Sequence, residues 1–196
     1  MIVWINGAFG SGKTTVAYEL QRRVKNSFVY DPENVGYFLW KNEPEAMKKE
    51  NFQQEPLWRE FNQKMLYEIS THYEGVVLVP MSLTEPQYYG EIIGALRKKD
   101  ILVKHCVLGA KEETILKRLR SRSEGKKSWA AQQAAKCVQD LKKPVFENYI
   151  ITDSMTVSQM VDVVAARTGL ELMDENKSRL IKWILRKKVQ LKHIRF

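Results

Sequence analysis

The chain opens on an apolar run, Met1 to Ile5, and soon passes into Thr14 to Val24, where Val16, Leu20 and Val24 recur at helical spacing with charges between them. The first pattern suits a strand buried on both faces of a parallel sheet, and the second an amphipathic helix. The alternation continues: residues 27–31 (SFVYD), 75–83 (GVVLVPMSL), 101–108 (ILVKHCVL) and 148–153 (NYIITD) read as further strands. Between them, residues 56–73 place Leu57, Phe61, Met65 or Leu66 and Ile69 on one helical face. Residues 86–100, 111–122 and 156–168 read as helices, and the polar, mixed stretch 33–54 as a mobile helical cover. Strands alternating with helices predict an α/β fold, a parallel sheet of about five strands with helices on both faces, in three αβα layers. In such a sheet ligands bind at the carboxyl ends of the strands, which directs attention to Asp31, residues 80–84, residues 109–111 and Asp153.

The junction between the first strand and the first helix carries the strongest chemical signal. Gly7 to Thr14 reads G-x-x-x-x-G-K-T, the full P-loop pattern in its required strand–turn–helix context. Gly7, Gly10 and Gly12 let the backbone approach a ligand, so that amides of Gly7, Ala8, Phe9, Gly10, Ser11, Gly12, Lys13, Thr14 and Thr15 can form an anion nest at the helix N-terminus. Lys13 is placed to reach the β- and γ-phosphates, and the Thr14 hydroxyl to ligate Mg²⁺.

The other candidates are less specific. Asp31 ends the second strand, where a carboxylate can take the proton of an attacking hydroxyl; the alternative is an Asx-turn leading into Pro32. The third strand lacks the acid that switch GTPases and motor ATPases use to hold Mg²⁺, since no acidic residue occurs before Glu85. That absence fits small-molecule kinases better, with Met81 and Ser82 either facing an acceptor or simply packing. Arg118, Arg120 and Arg122 end a helix and are followed by a basic, small-residue segment; together they suggest a lid at about 120–143 whose Arg118 and Arg122 share a face and neutralise the transferring phosphoryl group. A solvated basic helix end is the alternative. Trp58, Arg59 and Asn62 lie within one helical turn and can offer a ring, a fork and an amide to a ligand; equally, Trp58 can be core and Arg59 a surface partner of Glu55 or Glu60. Tyr88 and Tyr89 add to an aromatic acceptor pocket. His72, His105 and His193 show no metal-ligand or triad spacing.

Composition refines this picture at one end of the chain. The net charge of +9 is concentrated in residues 176–196, which hold Lys177, Arg179, Lys182, Arg186, Lys187, Lys188, Lys192 and Arg195 and no acid. The preceding residues are almost neutral, which argues against a nucleic-acid partner for the body of the protein. The division expected is therefore a core at 1–170 and a basic helical tail at 171–196. In the tail, Leu180, Ile181, Ile184, Leu185 and Leu191 recur at helical spacing with Trp183 at the flank. Such a helix suits a membrane surface or docking on the body. No apolar run approaches the roughly 20 residues that span a bilayer, no signal peptide is evident, and isolated Cys106 and Cys137 suit a reducing cytoplasm.

The pieces WINGAFGSGKT (4–14), VYDPE (29–33), PLWREFN (56–62), VPMS (79–82), LKRLRSRSEGKKSWAA (116–131) and LKHIRF at the end resemble the tunicamycin-resistance proteins of the TmrB type. The resemblance runs nearly end to end. It implies a bacterial ATP-binding protein with an NMP-kinase-like P-loop fold, carrying Gly7 to Thr14 over as the nucleotide loop, and a membrane-associating C-terminal helix. It also implies tunicamycin as the small-molecule partner, a nucleoside antibiotic with a uracil, an amino-sugar core and a fatty-acyl tail. Either phosphorylation of the drug or its ATP-dependent sequestration fits that description.

Overall fold

The computed structural model describes residues 1–121, 128–174 and 179–192. Five strands form one parallel sheet: β1 (Ile2–Gly7), β2 (Ser27–Val29), β3 (Val76–Pro80), β4 (Val103–Gly109) and β5 (Tyr149–Ile151), in the order β2-β3-β1-β4-β5. β1 is central, pairing Ile2 to Ile5 with Val77 to Pro80 on one side and Ile2 to Gly7 with Val103 to Leu108 on the other. Its six residues are all buried, as a strand covered on both faces requires. The two edge strands are the shortest, each three residues, so the sequence patterns at 27–31 and 148–153 overshoot them.

Side chains of β1 alternate between two cores. Ile2 and Trp4 join the core that includes Trp58, Leu66, Leu96 and Val138, under α2 (Glu33–Asn42), α3 (Pro56–His72), α4 (Pro86–Tyr89), α5 (Ala95–Arg97) and, after α6 (Glu112–Arg120), α7 (Trp129–Asp140). Val3 and Ile5 join the core beneath α1 (Lys13–Arg23) and α8 (Val157–Thr168). The fold is thus the expected sheet with helices on both sides.

Several elements depart from the hydrophobic pattern. On α3 the predicted face is largely outside, with Leu57, Phe61 and Met65 at 55%, 46% and 40% exposure, while Trp58, Arg59, Asn62 and Leu66 are buried. The reason is that Arg59 and Asn62 find polar partners inside, so the helix turns them and Trp58 inward. The stretch expected as a helical cover is built of α2 and two short 3-10 turns (Glu45–Met47 and Phe52–Gln54). Phe52 is clamped among Trp40, Tyr37 and Trp58. A side chain at Gly36 would strike its ring, a Cβ lying 2.4 Å away. A π-helical turn, Gly90–Gly94, joins α4 to α5.

The tail helix α9 (Arg179–Lys192) docks on the body. Arg186 donates to Glu19 of α1 at 2.7 Å and to Ser158 of α8 at 3.1 Å, while Arg22 also pairs with Glu19. Ile181, Trp183 and Ile184 remain exposed on it. Among the described residues, no helix is long and apolar enough to cross a membrane.

Candidate nucleotide and acceptor site

β1 delivers the chain into the glycine-rich loop, and α1 leaves it. Gly12 caps α1 in the left-handed region (φ 98°) and Gly10 also has positive φ (81°), conformations that side chains resist. No side chain caps the start of α1, so the positive end of the helix is presented to the loop, an arrangement that favours an anion. Lys13 is only 6% exposed, with its ammonium 5.1 Å from the centre of the Phe9 ring. Thr14 is half-buried at the first turn. This backbone, cation and hydroxyl set fits a Mg²⁺-bound polyphosphate. Among the described residues no cluster of three or more His, Cys, Asp or Glu side chains would hold a metal by itself.

Gly7, first of the loop, is held on both sides. Its N–H donates to Asn6 Oδ1 at 2.8 Å and its carbonyl accepts from Ser82 Oγ at 2.6 Å. Ser82 in turn accepts at its carbonyl from Gln53 Nε2 at 2.9 Å, and the Gln53 carbonyl accepts from Arg59 Nη1 at 2.6 Å. A buried polar ladder therefore runs from the nucleotide loop to α3.

Beside the loop lies a cleft of about 160 Å³. Phe9, Tyr88 and Trp129 give it aromatic walls; Asn51, Gln53, Gln54 and Gln133 line it with amides, Ser82 and Thr84 with hydroxyls, and Glu85, Asp140 and Lys136 with charge. Phe9 meets Trp129 edge-on at 5.0 Å, which brings α7 against the loop. Burial pushes the Cys137 thiol up, and the Lys13 charge pulls it partly back, so α7 sits within electrostatic reach of Lys13. Asp140 Oδ1 holds Lys143 at 2.7 Å, while its Oδ2 is buried with no hydrogen-bond partner. Rings that stack and amides that both donate and accept suit a ring-bearing ligand with several hydroxyls.

The sequence candidates divide over this geometry. Phe9 and Ser82 line the cleft. Met81 is packed in the core, its carbonyl accepting from Trp4 Nε1. Trp58 and Asn62 are fully buried: Trp58 donates to the Pro32 carbonyl at 3.0 Å, and Asn62 accepts from Tyr30 Oη at 2.8 Å and donates to the Trp58 carbonyl at 2.7 Å. They shape the site from behind and offer a ligand no open face. Arg59 pairs with Glu91 of the π-helical turn instead of the expected Glu55 or Glu60, and lies 4.4 Å over the Tyr88 ring. It braces that cleft wall.

Asp31 Oδ1 accepts from the Glu33 N–H at 3.0 Å, the Asx-turn geometry, and the residue is not among those lining the cleft. Arg118 reaches under the loop, donating to the Ser11 carbonyl at 3.4 Å and to Thr152 Oγ1 at 3.1 Å. Burial lowers its pKa, although Asp153 nearby opposes this. Asp153 accepts from Thr114 Oγ1 and the Lys111 N–H, and those bonds hold its carboxyl below the usual range. Arg122 lies outside the described residues, as does the part of the expected lid from 122 to 127. The rest of that segment forms α7, which buries Ala134, Cys137 and Val138 in the core. Sequence reasoning missed this helix and with it Trp129, Gln133, Lys136 and Asp140. The signal was present in Ser128, which caps α7 by accepting from the Ala131 N–H, followed by strong helix formers.

The model of the AAA domain family matches residues 3–139, a span holding the nucleotide loop, all of the cleft lining but Asp140, and most of α7. The chain belongs to the AAA domain family. The sequence resemblance is matched in structure: the tunicamycin resistance protein of Deinococcus radiodurans superposes with a TM-score of 0.76 at 29% identity, over 89% of this chain and 98% of that one. This AAA-domain chain also shares its fold with a gluconokinase from Sinorhizobium meliloti (13% identity, TM-score 0.60, 97% of this chain and 96% of that one). The APS kinase of Mycobacterium tuberculosis, solved with AMPPNP and APS, is a further fold relative (14% identity, TM-score 0.53, 86% and 96%). No curated protein sequence matches the chain. The P-loop NTPase fold and the likeness to P-loop kinases are thus shown.

Proposed function

We propose that the protein is a P-loop phosphotransferase that binds Mg·ATP and moves the γ-phosphate to a hydroxyl of tunicamycin or a related nucleoside or amino-sugar compound. One observation carries this: the nucleotide loop and an aromatic, amide-lined cleft share a wall, with Phe9 belonging to both and Ser82 bonded to the loop while lining the cleft. Lys13 and the loop amides would hold the phosphates, and Thr14 would help hold Mg²⁺, which would supply neutralising charge to the polyphosphate when bound. Asp31 does not line the cleft, and the role of orienting the attacking hydroxyl and receiving its proton is assigned to it on its position at the carboxyl end of the sheet, just after β2. The new bond forms between that oxygen and the γ-phosphorus as the bond to the β-bridging oxygen breaks, and ADP leaves. Arg118, with Arg122, stabilises the transferring group. The likeness to the Deinococcus protein supports tunicamycin as the acceptor.

ATP-dependent sequestration of the drug is the second reading. It is favoured by the lack of an acid at the end of β3 and by the engagement of Asp31 in a turn. In either case the exposed Ile181, Trp183 and Ile184, with Lys187 and Lys188, give α9 a surface for peripheral contact with a membrane at its cytoplasmic face. Incubating tunicamycin with the protein and Mg·ATP separates the two chemistries: a product heavier by about 80 Da marks phosphorylation, whereas unchanged drug that binds more tightly with ATP marks sequestration.

A further inference from the structure

Asn6, the residue just before the nucleotide loop, has no exposed surface, and every hydrogen-bonding position of its amide is used. Oδ1 accepts from the Gly7 N–H at 2.8 Å and from the Leu83 N–H at 2.9 Å. Nδ2 donates to the Leu83 carbonyl at 2.8 Å and lies 3.2 Å from His105 Nε2. The orientation is unambiguous, because a flipped amide would set its NH₂ against two backbone N–H groups. His105 Nε2 must therefore accept, and the imidazole must be neutral with its proton on Nδ1.

The surroundings of His105 favour the neutral ring, while the Asn6 amide alone fixes the tautomer, since Nδ1 is buried with no side-chain hydrogen-bond partner of its own. The ring is 1% exposed, edge-on to Tyr89 of α4 at 5.1 Å and 6.2 Å from Phe146. Glu147 and Arg97, the charged groups that face it, are tied to each other at 2.8 Å. The same Leu83 segment carries Ser82, whose hydroxyl holds the other side of the Gly7 residue at its carbonyl. Asn6 and Ser82 thus fix both backbone groups of the glycine from which the phosphate-binding loop departs.

We propose that Asn6 is a positioning residue of the nucleotide loop and that neutral His105, accepting at Nε2, sets the direction in which its amide points. The functional part rests on the reading of this loop as the ATP site; the geometric part does not. Asn6 acts through Gly7 and touches no phosphate.

The test uses the full chain as wild type, His105→Gln and His105→Leu. Gln offers an amide oxygen where Nε2 stood, whereas Leu leaves the Asn6 Nδ2–H unpaired. Imidazole ¹⁵N shifts of the wild type at pH 7 should show Nε2 without a proton. Exchange of the Gly7 and Leu83 amides should quicken by about tenfold in His105→Leu and stay near wild type in His105→Gln. The Kd for Mg·ATP should rise about tenfold in the first variant and within about threefold in the second. A protonated Nε2, unchanged Gly7 exchange in His105→Leu, or equal loss of affinity in the two variants overturns the proposal. Should His105→Leu not fold, the ring shifts and His105→Gln still decide it. A wild type with the expected shifts and exchange that does not bind Mg·ATP overturns the ATP-site reading instead.

Discussion

Lys13, Asp31 and His105 show three different relations between a side chain and its role. Lys13 is nearly enclosed beside Phe9, so Lys13→Ala should weaken Mg·ATP binding at least about tenfold while costing little stability, as calorimetric titration and a melting curve would show. Asp31 offers a cleaner separation. Asn preserves the Asx turn to the Glu33 N–H but cannot take a proton, so Asp31→Asn should leave the melting temperature and ATP affinity unchanged and abolish phosphoryl transfer. Full turnover in that variant would remove Asp31 from the chemistry. For His105, burial brings the pKa down from 6.5 to about 4. The unfolded chain then binds a proton that the folded protein refuses, so this group's contribution is present above pH 6.5 and is lost as the pH falls toward 4. That loss is on the order of 3 kcal/mol. The stability difference between wild type and His105→Gln should shrink correspondingly across that window in denaturant titrations; a constant difference would contradict it. The loop residues were legible in the sequence because each fixed position answers to a backbone or charge requirement. Trp58 and Asn62 were not, since a polar group satisfied internally looks, in one dimension, like one that awaits a ligand.

At the scale of elements, α3 and α9 are the informative cases. The spacing of Leu57, Phe61, Met65 or Leu66 and Ile69 predicted a buried stripe; Leu66 is fully buried and Ile69 packs against the core, whereas Leu57, Phe61 and Met65 are exposed. Leu66→Ala should therefore cost about 2–5 kcal/mol and Phe61→Ser under about 1 kcal/mol in equilibrium unfolding; the reverse order would contradict the observed rotation of the helix. Periodicity gave the helix correctly but could not weigh the internal bonds of Arg59 and Asn62 against an apolar stripe. In α9 the pattern suited either a membrane surface or docking on the body, and the Arg186–Glu19 pair ties the helix to α1. Arg186→Ala should speed exchange of the α9 amides and cost roughly 1–3 kcal/mol, because Glu19 is almost wholly buried. The five strands were all visible as apolar runs, with their ends misplaced by one to three residues in the interior strands as well as at the sheet edges.

For the whole molecule, the arrangement joins a nucleotide loop at the carboxyl end of β1 to a cleft whose floor and walls come from α4, α7 and the segments before α3 and after β3. The sequence located the first half of this site because one contiguous motif encodes it. The second half is assembled from residues as far apart as Asn51 and Asp140, none in a recognisable pattern, and only the fold brings them together. The account stands or falls on whether that juxtaposition transfers phosphate. The most direct measurement is mass spectrometry of tunicamycin after incubation with Mg·ATP and either the wild type or Lys13→Ala. A gain of about 80 Da with the wild type alone is the predicted result, and unmodified drug in both samples would contradict it.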